Sequence, residues 1–357
     1  MKKIFRRIAA GVMAGALAVG TLTGCGKSES MTVKDTKYEI SDNSEVVFDF
    51  GKSTITYGEL LYFISYFEMT GEYQREYYAE NMGYTGDFWS ELDENGNPES
   101  ANYKSQAFQM AAYVEVMKNA AIDAGITLDE NDLADVKKTT EESINIFPAE
   151  DLPLIGITYE GFESAQKTIA YTNKYVESLR NEYRDSDKVK EALSAIKRED
   201  YQAYDVNYAY ITKAADGEAG NAALLNLINE IHDKAVQGTE FTELEALYAG
   251  NSAVTLGSKV VPKNDSTLDA AITGVLAKMN RDDVSDVIDT DYGYFVFQMI
   301  NTDTEELYLS TVQENENTII ESMITARYSE LNEEYTIDGN EELCNSIKMG
   351  STTINYK

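Results

Sequence analysis

The sequence predicts an α+β fold that is mostly helical and carries one small α/β module, and three features of its patterning support that. Apolar residues recur at helical spacing through most of the first 200 positions. From Tyr201 the period switches to alternation, with Tyr204, Val206, Tyr208 and Tyr210 on one parity, as a strand requires. After a compact β-α-α-x-α-β run, the helical period returns in one long stretch from Thr311 to Glu334. Strands and helices do not alternate over enough chain to build a large parallel sheet, which argues against a two-lobed solute-binding architecture.

The chain opens with Lys2, Lys3, Arg6 and Arg7, an apolar run from Ile8 to Leu22, and then Leu22-Thr23-Gly24-Cys25. A basic start, a short apolar stretch and small residues before a cut describe a secretory signal rather than a spanning helix. The Leu-x-Gly-Cys ending resembles a bacterial lipobox. It implies removal of residues 1–24 and a diacylglycerol thioether on Cys25; the plainer alternative is an ordinary signal with an incidental cysteine. Acyl chains contribute about 0.8 kcal/mol per buried methylene, so a multiply acylated end anchors stably. Residues 25–45 are polar and aperiodic and read as a tether. No later apolar run reaches the roughly 18 residues a second span needs.

Residues 46–200 read as a helical region behind a small hairpin. A strand precedes a turn at Gly51-Lys52, and a second short strand leads to a helix from Tyr57 to about Met69. Thr56 and Glu59 form its capping box, and Leu60, Leu61, Ile64 and Phe67 are its apolar stripe. A second helix is expected from Ser105 to Asp123, ending at Gly125. Thr127 and Glu130 have capping-box spacing before a helix through Ile146. Pro148 and Pro153 mark a loop. Thr158 caps a helix with Phe162, Ile169, Val176 and Leu179, and Asp185-Ser186-Asp187 opens a short one ending near Lys197.

The module spans residues 201–303. After its first strand come a helix from Asn221 to Val236 and a short helix from Phe241 to Tyr248. An irregular stretch follows around Leu256-Gly257, then a helix from Leu268 to Met279 and a last strand from Val296 to Ile300. Residues 304–357 hold the long helix and a tail, Thr352–Tyr356, with the pattern of an edge strand.

Composition narrows the chemistry. The 357 residues contain 62 acids and 30 bases, a net charge of −32. Without the four bases of the leader it is −36, which argues against nucleic-acid or anionic-lipid binding through a basic face and favours neutral or cationic partners or loosely bound metal ions. Beyond Cys25 only Cys344 remains, so no internal disulfide can form, and it reads as an inert thiol. The single imidazole, His232, sits among Asn229, Glu230 and Asp233 on a solvated helix face. No metal site, cofactor fingerprint, Walker loop or Ser-His-Asp set can be built. Asp93-Glu-Asn-Gly-Asn97 has its glycine at the fourth loop position and Lys104 where a calcium loop needs an acid, so it reads as a plain turn.

Three separated blocks of the module resemble parvulin-type peptidyl-prolyl isomerases. They are Gly238, Phe241 and Leu244 at the end of its first helix, Leu256-Gly257, and Val284, Ser285, Val287, Thr290, Gly293 and Tyr294 before its last strand. The resemblance implies a proline pocket containing Leu268, Ile272 and Met279. It also implies two histidines, and their positions hold Tyr208 and Phe295 here, for which core packing is the plainer role. Asn251 is the nearest polar residue to a third polar position of the family. The hairpin with Ile55-Thr56 and Glu59-Leu60, and the segment from Ala124 to Leu133, resemble the N-terminal domain of PrsA- and SurA-type extracytoplasmic foldases. That implies a chaperone domain of N-terminal helices plus the C-terminal helix, with the parvulin-like module inserted.

Function follows as two readings. One is a lipid-anchored foldase on the outer face of the bacterial cytoplasmic membrane that binds unfolded or partly folded secreted polypeptides, with weak or lost isomerase activity. The other is a non-catalytic lipoprotein for a peptide, the cell wall or one dedicated protein. Aromatics from Tyr62 to Trp89 suit contact with unfolded chains; Phe63 and Phe67 read as core, and Tyr73, Tyr77 and Trp89 as client contacts.

Overall fold

The computed structural model describes residues 43–147, 149, 152–214 and 218–350. The signal, Cys25, most of the tether and the Thr352–Tyr356 tail lie outside the described residues. The fold is α+β, mostly helical with two small antiparallel sheets. The chain divides into two compact units. Of the described residues, those from 43 to 185 together with 319–350 form the first, and those within 186–318 the second.

In the first unit β1 (Val46–Asp49) pairs with β2 (Thr54–Thr56) around Gly51, whose φ of 75° suits a residue without a Cβ. Thr56 and Glu59 then cap α1 (Tyr57–Met82) reciprocally. This helix runs well past Met69, because Glu72, Gln74, Arg75, Glu76, Ala79, Glu80 and Met82 favour helix and outweigh Gly71, up to the left-handed Gly83. It is followed by α2 (Glu99–Asp123), α3 (Glu130–Ile144), the single turn α4 (Leu152–Ile155) and α5 (Tyr159–Arg184).

The α2 helix begins ahead of Ser105, directly after Pro98. The α3 cap is a correction. Asp129, not Thr127, accepts from the backbone of Asn131 and Asp132, while the Asp132 carboxylate accepts from the Asp129 N–H. Helices α1, α2 and α5 pack on one another. Gly161 permits the α1–α5 crossing, since a Cβ there would stand 2.5 Å from the Gly58 carbonyl oxygen. The Thr172 hydroxyl donates to the Val114 carbonyl and ties α5 to α2.

The second unit opens with α6 (Asp187–Ser194) and a 3₁₀ turn (Arg198–Tyr201). It continues through β3 (Ala203–Thr212), α7 (Glu218–Val236), α8 (Phe241–Tyr248), β4 (Val254–Pro262), α9 (Ala270–Leu276), β5 (Ile288–Asp289) and β6 (Gly293–Thr304). The sheet order is β4-β3-β6-β5, all antiparallel. Leu256-Gly257 thus lies within a strand rather than an irregular stretch. The α9 helix is shorter than Leu268–Met279 because Asp269 caps it by accepting from the Ala271 N–H.

Both faces of this sheet are covered. Ala209, Ile211, Tyr294 and Val296 pack under α7 and α8, and Val206, Phe297 and Met299 under α9. Arg198 bonds both Asp303 and Glu305, and Lys263 also reaches Asp303. These ion pairs tie the turn before β3 and the residue after β4 to the end of β6 and Glu305 beyond it, and the unit extends beyond 201–303 on both sides.

The chain continues through α10 (Glu306–Glu333). Its later residues Ile320, Ile324, Tyr328 and Leu331 are buried in the first unit, and Arg180 pairs with Glu321. Then β7 (Asp338–Gly339) adds to β1, and α11 (Glu341–Ser346) buries Cys344.

Candidate functional site

The α9 face of the second unit's sheet collects the residues that the module's motifs single out. Ile272 is buried in this cluster, and Tyr208, Leu268, Met279 and Phe295 pack around it, half-buried. The strand register fixes their relation. Tyr208 lies opposite Phe297 on one side and Gly257 on the other, while Phe295 lies opposite Tyr210. Tyr208 and Phe295 are therefore diagonal neighbours rather than a facing pair.

The rings form a continuous layer. Tyr210 and Phe295 stack with centroids 4.5 Å apart, Phe295 and Phe297 lie parallel at 5.9 Å, and the exposed Tyr292 meets Phe295 edge-on at 5.7 Å. Gly293 makes room, since a Cβ there would come within 2.4 Å of the Tyr210 ring, whereas one on Gly257 would only make an ordinary contact with the Tyr208 ring at 3.5 Å. Tyr210, Tyr292 and Phe297 were absent from the expected site. Tyr210 and Phe297 share the alternation that puts Tyr208 with Tyr210 and Phe295 with Phe297, whereas Tyr292 lies outside it.

The motif's hydroxyls have structural work. Ser285 Oγ accepts from the Phe297 N–H at 2.9 Å, and the Ser285 N–H donates to the Phe297 carbonyl. Thr290 Oγ1 donates to the Gly293 carbonyl and accepts from the Gly293 N–H, closing the turn into β6. Asn251 likewise holds a bend, accepting from the Ala253 N–H ahead of β4. His232 stands on α7, the helix over the opposite face, with Nδ1 3.1 Å from Asp233. The α9 face thus offers aromatic and aliphatic area and phenol hydroxyls, but no imidazole to orient a peptide carbonyl or nitrogen. Among the described residues no group of acids, His or Cys is arranged to hold a metal ion.

In the first unit, Tyr73 and Tyr77 are 63% and 47% exposed on the later turns of α1. Trp89 is differently placed. Its Nε1 donates to Glu72 at 2.7 Å, and its ring packs on Phe88 and Tyr103 and lies across Gly71 and Gly350. A Cβ on either glycine would collide with that ring at 2.4 or 2.6 Å. The aromatic group therefore has exposed members on α1 and an anchored one behind them.

Residues 197–308 match the family described as the PPIC-type PPIASE domain. No curated protein matches the chain at a significant level. Among solved structures, the chain is similar to the foldase protein PrsA from Lactococcus lactis at 12% identity and a TM-score of 0.31, over 85% of this chain and 97% of that one. It is similar to the SurA-like chaperones PEB4 and Cj1289 from Campylobacter jejuni at 15% identity and a TM-score of 0.28, over 82% and 98%. PrsA from Bacillus subtilis aligns at 13% identity and a TM-score of 0.23, over 86% and 99%. Superpositions this loose carry no argument themselves, and the assignment rests on the domain match and the motifs within it. Residues 197–308 are a parvulin-type domain of the PPIC-type PPIase family.

Proposed function

We propose that the chain is an extracytoplasmic foldase-type chaperone, lipid-anchored through Cys25 at the outer face of the bacterial cytoplasmic membrane. It binds unfolded or partly folded exported polypeptides, and its isomerase activity is weak or lost. The observation that carries this reading is the apolar α9 face within the residues that match the PPIC-type domain, where Tyr208 and Phe295 stand at the positions for which the resemblance expects histidines. Uncatalysed rotation about a peptide bond faces a barrier of about 18–20 kcal/mol. Lowering it calls for dipoles fixed around the twisted amide, and a phenyl ring at 295 supplies none.

Binding asks for less. Half-buried aromatic rings give large contact area at small entropic cost. Tyr208, Phe295, Leu268, Ile272 and Met279 serve as one contact surface, and Tyr73 and Tyr77 as another, with Trp89 as support. In this reading the N-terminal helices and the C-terminal helix form the chaperone domain, and the parvulin-type domain is inserted between them. The test is light scattering from an unfolded exported protein diluted into buffer. The full chain should suppress its aggregation, and Tyr208→Ala with Phe295→Ala should weaken the effect. No suppression with the chain in excess would overturn the reading.

A further inference from the structure

The exposed face of α1 carries more than apolar area. Tyr73, Glu76, Tyr77 and Glu80 follow the i, i+3, i+4, i+7 spacing of one helix face, and all four are exposed. Phenol rings and carboxylates therefore alternate along two turns. Between residues 71 and 99 the chain holds eight carboxylates and one cation. That cation, Arg75, is bound by Glu72, whose other oxygen accepts from Trp89. The helix is braced from behind by Trp89 seated on Gly71, so its outer face is a fixed surface rather than a frayed end.

We propose that this face is a docking surface for polypeptide segments carrying arginine or lysine beside apolar residues. A guanidinium laid over Tyr73 or Tyr77 gains a cation–π contact and has a carboxylate three residues along the same face. An aromatic surface without the acids would favour apolar segments of any charge. An acidic surface without the rings would attract cations without contact area. This face offers both, and its charge is complementary to a cationic segment only. The inference rests on the chaperone reading and names the class of segment it prefers.

The experiment is fluorescence anisotropy with the full chain and two labelled unstructured peptides, identical except that arginine in one is citrulline in the other. The arginine peptide should bind roughly tenfold tighter at low salt, from two ring contacts and two carboxylates, and salt should shrink the difference. E76Q/E80Q and Y73A/Y77A should each remove most of the preference. E141Q/E142Q, which deletes two exposed charges on α3, should leave it intact and so exclude a general effect of net charge. Equal affinity for the two peptides would overturn the inference, as would a preference that survives both α1 variants or falls equally with the α3 variant. If the chain suppresses aggregation but shows no arginine preference, this inference fails and the chaperone reading stands. If it suppresses nothing, the chaperone reading fails as well.

Discussion

Tyr210 and Phe295 stack face to face across the β3–β6 pairing, with centroids 4.5 Å apart and planes inclined by 23°. Gly293, the β6 partner of Thr212, permits it, because the Tyr210 ring occupies the space a side chain at 293 would need. The contact packs Phe295, which stands where the parvulin resemblance expects a histidine, into a layer of other rings. In the proposed reading, the domain keeps its frame without the catalytic environment.

Gly293→Ala should destabilise the second unit by about 1–3 kcal/mol, the usual cost of forcing extra volume into a packed site. A Cβ would lie 2.4 Å from the Tyr210 ring and 2.6 Å from the Ile211 carbonyl oxygen. The second clash is with backbone, so Tyr210→Ala should not restore stability. Urea unfolding of the single and double variants checks both statements.

Ser285→Ala should cost about 1–3 kcal/mol by leaving the buried Phe297 N–H without its acceptor. Ser285→Thr keeps the oxygen and should cost less unless the added methyl clashes. A midpoint for the Ala variant equal to that of the parent would show that Ser285 does not hold β6.

The parts of this arrangement differ in how readily they are read from sequence. The Thr56–Glu59 capping box was legible because both partners lie within one turn. The choice between Thr127 and Asp129 was not, since both residue types cap well and the local backbone decides. Strand β4 was missed because Gly257, Ser258 and Lys259 break the apolar alternation, and its pairing with β3 is a long-range property. The motif located Tyr208 and Phe295, but their diagonal relation depends on register. Trp89 was read as a client contact because nothing local announces Gly350 as the other side of its seat.

Gly71→Ala should loosen that seat, with a Cβ 2.4 Å from the indole. Trp89 is the only tryptophan, so its emission reports on this site alone. The variant should shift the emission and lower the first unit's stability by about 1–3 kcal/mol. An unchanged spectrum and midpoint would contradict the packing described for Trp89.

The paired rings of Tyr113 and Tyr328, 4.8 Å apart, should make the first unit sensitive to alkali. Burial pushes the Tyr113 hydroxyl up to about 12, and burial with Tyr113 beside it raises that of Tyr328. A tyrosine whose pKa is raised on folding contributes fully below its unfolded value near 10. It loses that contribution as pH rises through the folded value. Stability should therefore hold to about pH 10 and then fall by about 2 kcal/mol or more toward pH 12. Tyr113→Phe with Tyr328→Phe should reduce the fall, with the buried Tyr62 supplying part of what remains, as read from denaturant midpoints across that range.

In the proposed reading, residues 197–308 keep the parvulin frame without its catalytic environment. The most direct measurement is the rate of a proline-limited refolding reaction with and without the full chain, beside a parvulin that has both histidines. The account predicts little or no acceleration by this chain at concentrations where it binds unfolded protein. Acceleration matching that of the two-histidine enzyme would contradict it.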